Sequence, residues 1–161
     1  MHRVFNRARL VALLFSSLQL VGCSGPEISR EYDYYEDVTI VRAGPFYLGS
    51  LNYVRLDIVV PLTKKTSPHA PRSPPEIIIM NFPRWTFDEV YFVIRDEVIR
   101  CRRPGFQEYT VHMRAEKFAK LASSGYVAGY FDDHKAKFLL DREQLEVIRA
   151  LAEEIGVLNR E

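Results

Sequence analysis

Two cysteines and four histidines are the residues of this 161-residue chain best suited to nucleophilic or metal chemistry. Beyond the first segment the histidines are His69, His112 and His134. Asp132, Asp133 and His134 are metal-ligand types, but three adjacent residues rarely converge on one ion, and Asp-Asp-His is ordinary turn composition. His112 lies in a β-rich run and reads as a packed or surface imidazole rather than a base. Cys101 stands among Arg100, Arg102 and Arg103, cations that can lower a thiol pKa. In an alternating strand, however, Ile99 and Cys101 face inward and the arginines face water, which makes Cys101 a packing residue. Acidic residues are scattered and nominate no carboxylate pair of the glycosidase kind. No G-x-S-x-G, H-E-x-x-H, phosphate-loop or dinucleotide glycine pattern occurs. The chain is therefore expected to hold no catalytic site, no metal and no cofactor.

Cys23 carries a different chemistry, set by what precedes it. Residues 1–22 contain Arg3, Arg7 and Arg9 and no acid, so residues 23–161 hold 19 basic and 21 acidic residues, a formal charge of −2. That balance argues against a nucleic-acid partner. The basic start leads into the apolar run Leu10–Val21, which is diluted by Ser16, Ser17 and Gln19 and is short for a bilayer span. A charged start, a short apolar run and small residues beyond it are the three parts of a secretory signal peptide.

The run ends in Leu20-Val21-Gly22-Cys23, which resembles the lipobox of bacterial lipoprotein precursors. The resemblance covers residues 1–23 alone, and no family is recognised for residues 24–161. It implies cleavage between Gly22 and Cys23, a thioether-linked diacylglycerol on Cys23, and acylation of the freed amino group by a chain such as palmitate. Each buried methylene adds about 0.8 kcal/mol, so two or three chains anchor stably where one would bind reversibly. Ser24, where an inner-membrane retention signal would have Asp, points to the outer membrane. The expected location is the bacterial envelope, facing the periplasm. With Cys23 acylated, Cys101 is the one remaining thiol and no internal disulfide forms.

The elements follow from periodicity. Residues 23–37 read as lipid anchor and tether: Gly25 and Pro26 break any pattern, and Tyr32, Tyr34 and Tyr35 sit among four acids that would resist anionic headgroups. This acidic tyrosine segment reads as an approach to the first strand or a lip of a binding surface. Residues 38–161 read as one α+β domain. Val38–Val41 is β-branched, Gly44-Pro45 marks a turn, and Val54, Leu56, Ile58 and Val60 alternate along a half-buried strand. Ile77–Met80 is a further strand. The Pro-rich stretch between, with Pro68, Pro71, Pro74 and Pro75 beside Lys64, Lys65, His69 and Arg72, reads as a long exposed hairpin loop.

Residues 86–101 fit either a helix, from the Thr86/Glu89 capping spacing and Val90, Ile94 and Val98, or a hairpin, from the β-rich Val90–Ile94 block. The hairpin is the reading adopted. Tyr109–Met113, Val127–Phe131 and Ala136–Leu140 are strands. Ala115, Phe118, Leu121 and Ala122 make one helix face, and Asp141 caps a second helix carrying Leu145, Ile148, Leu151 and Ile155 inward, with Gly156 at its exit. The sum is an antiparallel sheet of about six or seven strands with two amphipathic helices on one face, in the C-terminal third.

The functional expectation is a membrane-anchored envelope lipoprotein acting as a non-enzymatic interaction or assembly factor. Its partners would be membrane lipid, through acylated Cys23, and an envelope protein. The alternative is a small-ligand-binding or inhibitory domain whose site is lined by the Pro-rich loop and the tyrosine segment.

Overall fold

The computed structural model describes residues 25–36, 38–49, 54–63, 74–83, 87–95, 97–104, 109–132 and 136–158. Nine strands form among these residues, eight of them on alternating apolar side chains and the first without: β1 (Glu27–Asp33), β2 (Val38–Leu48), β3 (Val54–Thr63), β4 (Ile77–Asn81), β5 (Glu89–Ile94), β6 (Glu97–Arg102), β7 (Thr110–Arg114), β8 (Val127–Phe131) and β9 (Ala136–Leu140). Two helices, α1 (Ala115–Ser123) and α2 (Arg142–Glu154), complete the α+β fold. The strands form two antiparallel sheets rather than one. The first is ordered β1-β2-β3-β4-β7 and the second β6-β5-β8-β9. The β5–β6 hairpin expected over residues 86–101 is present, and its insertion between β4 and β7 creates the second sheet.

Both sheets and both helices bury one face into a shared core. The five-stranded sheet contributes Val41, Ala43, Phe46, Leu56, Ile58, Val60, Ile78, Met80, Val111 and Met113; the four-stranded sheet contributes Val90, Phe92, Ile99, Cys101, Val127, Phe131 and Phe138. Helix α1 adds Phe118, Leu121 and Ala122, and α2 adds Leu145, Ile148, Leu151 and Ala152. Edge-to-face and tilted contacts among Phe82, Phe87 and Phe131, at 5.0–5.3 Å between ring centroids, join the β4–β5 connection to β8. The α1 face lies against β7 and β4, the α2 face against β1 and β2, and the helices touch each other. No helix among the described residues is long and apolar enough to cross a membrane.

Two further expectations are corrected. Residues 27–33, expected in the tether, form edge strand β1, paired with β2 from Glu27↔Gly44 to Asp33↔Val38. Ser29, Arg30 and Glu31 are exposed, so β1 lacks the apolar alternation that marks a strand in sequence. Its charges suit an edge, and its pairing comes from backbone hydrogen bonds. Gly44-Pro45 does not end a strand either. It lies within β2 as a bulge, where the register with β3 shifts between Ala43 and Phe46. Gly44, with φ of 135°, takes a backbone conformation that side chains oppose, and Pro45 needs no ladder donor there.

Candidate interaction surfaces

The outward face of the four-stranded sheet is organised by register into two rows. One is apolar: Val98 pairs with Val93, Val93 with Ala128, and Ala128 with Leu139. Val98, Leu139 and the neighbouring Tyr126 are each more than half exposed, at 51%, 53% and 56%. Small Ala128 lies in the middle of the face, and a shallow concavity of about 730 Å³ opens over Val93, Ala128, Tyr126, Leu139, Lys137 and Gly49.

The second row is polar: Arg100, Tyr91, Tyr130 and Lys137 stand opposite one another across the four strands. Tyr91 and Tyr130 stack with centroids 4.7 Å apart and planes 14° from parallel. The Arg100 guanidinium lies over Tyr91, 5.9 Å from its centroid. Glu89 collects the donors. Arg100 Nε donates to Oε2 at 2.8 Å, Arg102 Nε to Oε1 at 2.7 Å, and the Tyr91 hydroxyl to Oε2. Its bonds with Arg100 and Tyr91, more than any other contact, hold the carboxyl down at about 2, against an ordinary 4.5. Such a carboxylate stays ionised at neutral pH and has no proton to give. Arg100 and Lys137 thus end this row, Arg102 pairs with Glu89 in the next, and the Asp132 carboxylate lies beside Glu89 at the start of β5.

A second apolar surface lies on the outward face of the five-stranded sheet. Ile40 opposes Pro61, Val59 opposes Ile79, and Ile77 is 45% exposed. It is centred toward the β1–β2 turn, where Tyr34 and Tyr35 are 84% and 99% exposed. The Asp33 carboxylate accepts the Tyr35 and Glu36 backbone N–H groups at 2.9 and 3.2 Å and so shapes this turn. Glu31, Asp33 and Glu36 give the end an acidic edge, with Arg42 lying 3.7 Å from Glu31.

The two surfaces lie toward opposite ends of the molecule. Helix α2 runs beside β1 in the same sense: Gly25 lies against Glu143 in the first turn of α2, and Arg30 Nε donates to Glu154 at its end. Gln144 Nε2 donates to the Tyr47 carbonyl at 3.0 Å, and Gly49 approaches the Lys137 carbonyl. Gly25, the end of β2, the end of β9 and the start of α2 thus share one end. Tyr34 and Tyr35 stand at the other, about 20 Å along β1.

The residues singled out in sequence are dispersed. Gly22, Cys23, Lys64, Lys65, His69, Arg72, Asp133 and His134 lie outside the described residues. The Asp132 carboxylate is committed to backbone, accepting the N–H groups of Asp88 and Glu89 at 2.9 and 2.8 Å and so fixing the start of β5. His112 is an exposed side chain opposite Ile79. Cys101 faces the core beside Ile99 as expected, and burial pushes its thiol up to about 12. No group of three metal-ligating side chains occurs among the described residues.

The outward rows were missed in the sequence. Their signal was present as apolar Val98 and Leu139 at positions whose strand neighbours, Ile99 and Leu140, already supply the buried face. No family model, no curated protein and no solved structure matches this chain.

Proposed function

We propose that this chain is a lipid-anchored lipoprotein of the bacterial envelope, tethered through Cys23, that serves as a non-enzymatic interaction or assembly factor. A protein partner is held by the far end of the five-stranded sheet. One observation carries the reading: Ile40, Val59, Pro61, Ile77 and Ile79 make an apolar outward face next to the exposed Tyr34 and Tyr35, at the end opposite Gly25. Exposed tyrosines beside aliphatic side chains are the composition of protein-binding centres. The acids Glu31, Asp33 and Glu36 select a partner with basic residues and repel anionic lipid. The outer membrane is the favoured location, from Ser24.

The test is site-specific crosslinking in cells, with a photoreactive benzoylphenylalanine in place of Tyr35, followed by mass spectrometry. Defined envelope proteins should be captured, and Ile77→Asp, a change at an exposed position, should abolish their capture. Equal capture with Ile77→Asp rejects this surface. An absence of protein adducts, with the chain still fractionating with membranes, rejects the assembly role and turns the search to small ligands. Cys23→Ala should release the chain from the membrane fraction; unchanged fractionation rejects the anchor.

A further inference from the structure

We infer that the apolar row of the four-stranded sheet, Val98, Val93, Ala128 and Leu139 with Tyr126, rests on the lipid surface beside the anchor. The inference builds on the proposed acylation of Cys23 and adds a second contact with the bilayer. Three independent observations lead to it.

The first is chain length. Gly25 lies against Glu143 of α2, and only Ser24 separates it from Cys23, so the acylated sulfur is held within about 10 Å of that point. Leu139 precedes Glu143 by four residues across the β9–α2 junction, which spans at most about 14 Å. Tyr126 directly precedes Val127, which pairs with Leu140. The anchor therefore emerges at the end of the molecule that carries the exposed apolar row.

The second is composition. The row offers aliphatic side chains and a tyrosine, the residues that settle at the bilayer interface. The third is charge. Beside it, Arg100, Arg102, Arg103 and Lys137 stand with the carboxylates of Asp88, Glu89 and Asp132, one positive charge in excess among the described residues, which suits anionic headgroups. The opposite end carries acids around its tyrosines and lacks this complementarity. Contact at both the acyl chains and the sheet face fixes the orientation of the domain and presents Tyr34 and Tyr35 away from the membrane.

The test uses the full chain, expressed in a bacterium that processes lipoproteins, purified and reconstituted into vesicles of phosphatidylethanolamine and phosphatidylglycerol. Intact mass reports whether Cys23 is acylated, and hydroxyl-radical footprinting reports side-chain exposure. From exposures of 56% and 84%, Tyr126 in water should oxidise at roughly two-thirds of the Tyr34 rate. On vesicles the ratio should fall below about one-fifth, the effect of entering the headgroup region. The Val98→Asp/Leu139→Asp double variant, altered at exposed positions, should restore the higher ratio while keeping its acyl chains.

An acylated protein whose ratio stays near two-thirds overturns the inference and leaves the anchor standing. A low ratio that persists in the double variant also overturns it, because protection would then come from the anchor alone. Protection in native membranes but not in pure lipid assigns the face to a protein instead. A chain without acyl groups overturns both readings.

Discussion

The side chain of Gln144 joins helix α2 to strand β2: its Nε2 donates to the Tyr47 carbonyl at 3.0 Å while its Oε1 accepts the Asp141 backbone N–H at 3.1 Å. Its own backbone N–H donates to Asp141 Oδ1 at 2.9 Å, which completes a reciprocal cap. Gln144 is buried, so Gln144→Ala leaves the Tyr47 carbonyl and the Asp141 N–H without these partners. The expected loss is about 2 kcal/mol, read as a lower urea midpoint at unchanged slope.

Gly129 answers to a different constraint, close approach. It pairs with Phe138 across β8 and β9, and a Cβ at position 129 would lie 2.1 Å from the ring's Cζ atom. Both residues are buried, so the ring has little room to retreat. Gly129→Ala should destabilise by about 1–3 kcal/mol through overpacking. Gly129→Ala with Phe138→Leu should lose less than the two single changes added together, a coupling measured by a double-mutant cycle.

The donors around Glu89 set a pH dependence. Its carboxyl falls from 4.5 to about 2 on folding, so the folded state binds its proton less tightly than the unfolded state. The resulting stabilisation is complete above 4.5 and disappears as pH falls toward 2. Thermal melts should therefore show a wild-type advantage over Glu89→Gln that is constant at neutral and mildly acidic pH and shrinks through that acid window. A constant difference across the window would contradict this linkage.

Cys101 should resist thiol reagents. A thiol raised to about 12 has on the order of a thousandfold less thiolate near neutral pH than an ordinary cysteine, and burial also blocks access. Maleimide labelling of the native chain should leave Cys101 unmodified, and denaturation should expose it, as followed by mass spectrometry of the peptide containing it. Rapid labelling in the folded protein would contradict its place in the core.

Periodicity carried most of the fold. Val54, Leu56, Ile58 and Val60 alternate, Phe118, Leu121 and Ala122 share a helical face, and Asp141 with Gln144 makes the cap it promised. Where local preference and burial agreed, the elements are where they were expected. β1 was illegible because an edge strand needs backbone pairing and no apolar face, and its Ser29, Arg30 and Glu31 read as linker. Gly44-Pro45 was misread because a bulge and a turn use the same residues. The division into two sheets depends on which strands pair at long range, which the local pattern does not encode. The same holds for the outward rows, where Val98 and Leu139 lie 41 positions apart and meet only through three pairings.

The parallel course of β1 and α2 has a mechanical consequence. If the proposed acyl chains grip one end and the proposed partner the other, tension between membrane and partner would run along the axis of β1. The seven residue pairs between β1 and β2 would then be loaded together in shear, with the Arg30–Glu154 bond in parallel, rather than peeled one at a time. An edge strand that is the weakest element by burial would thus become the strut through which the domain bears load.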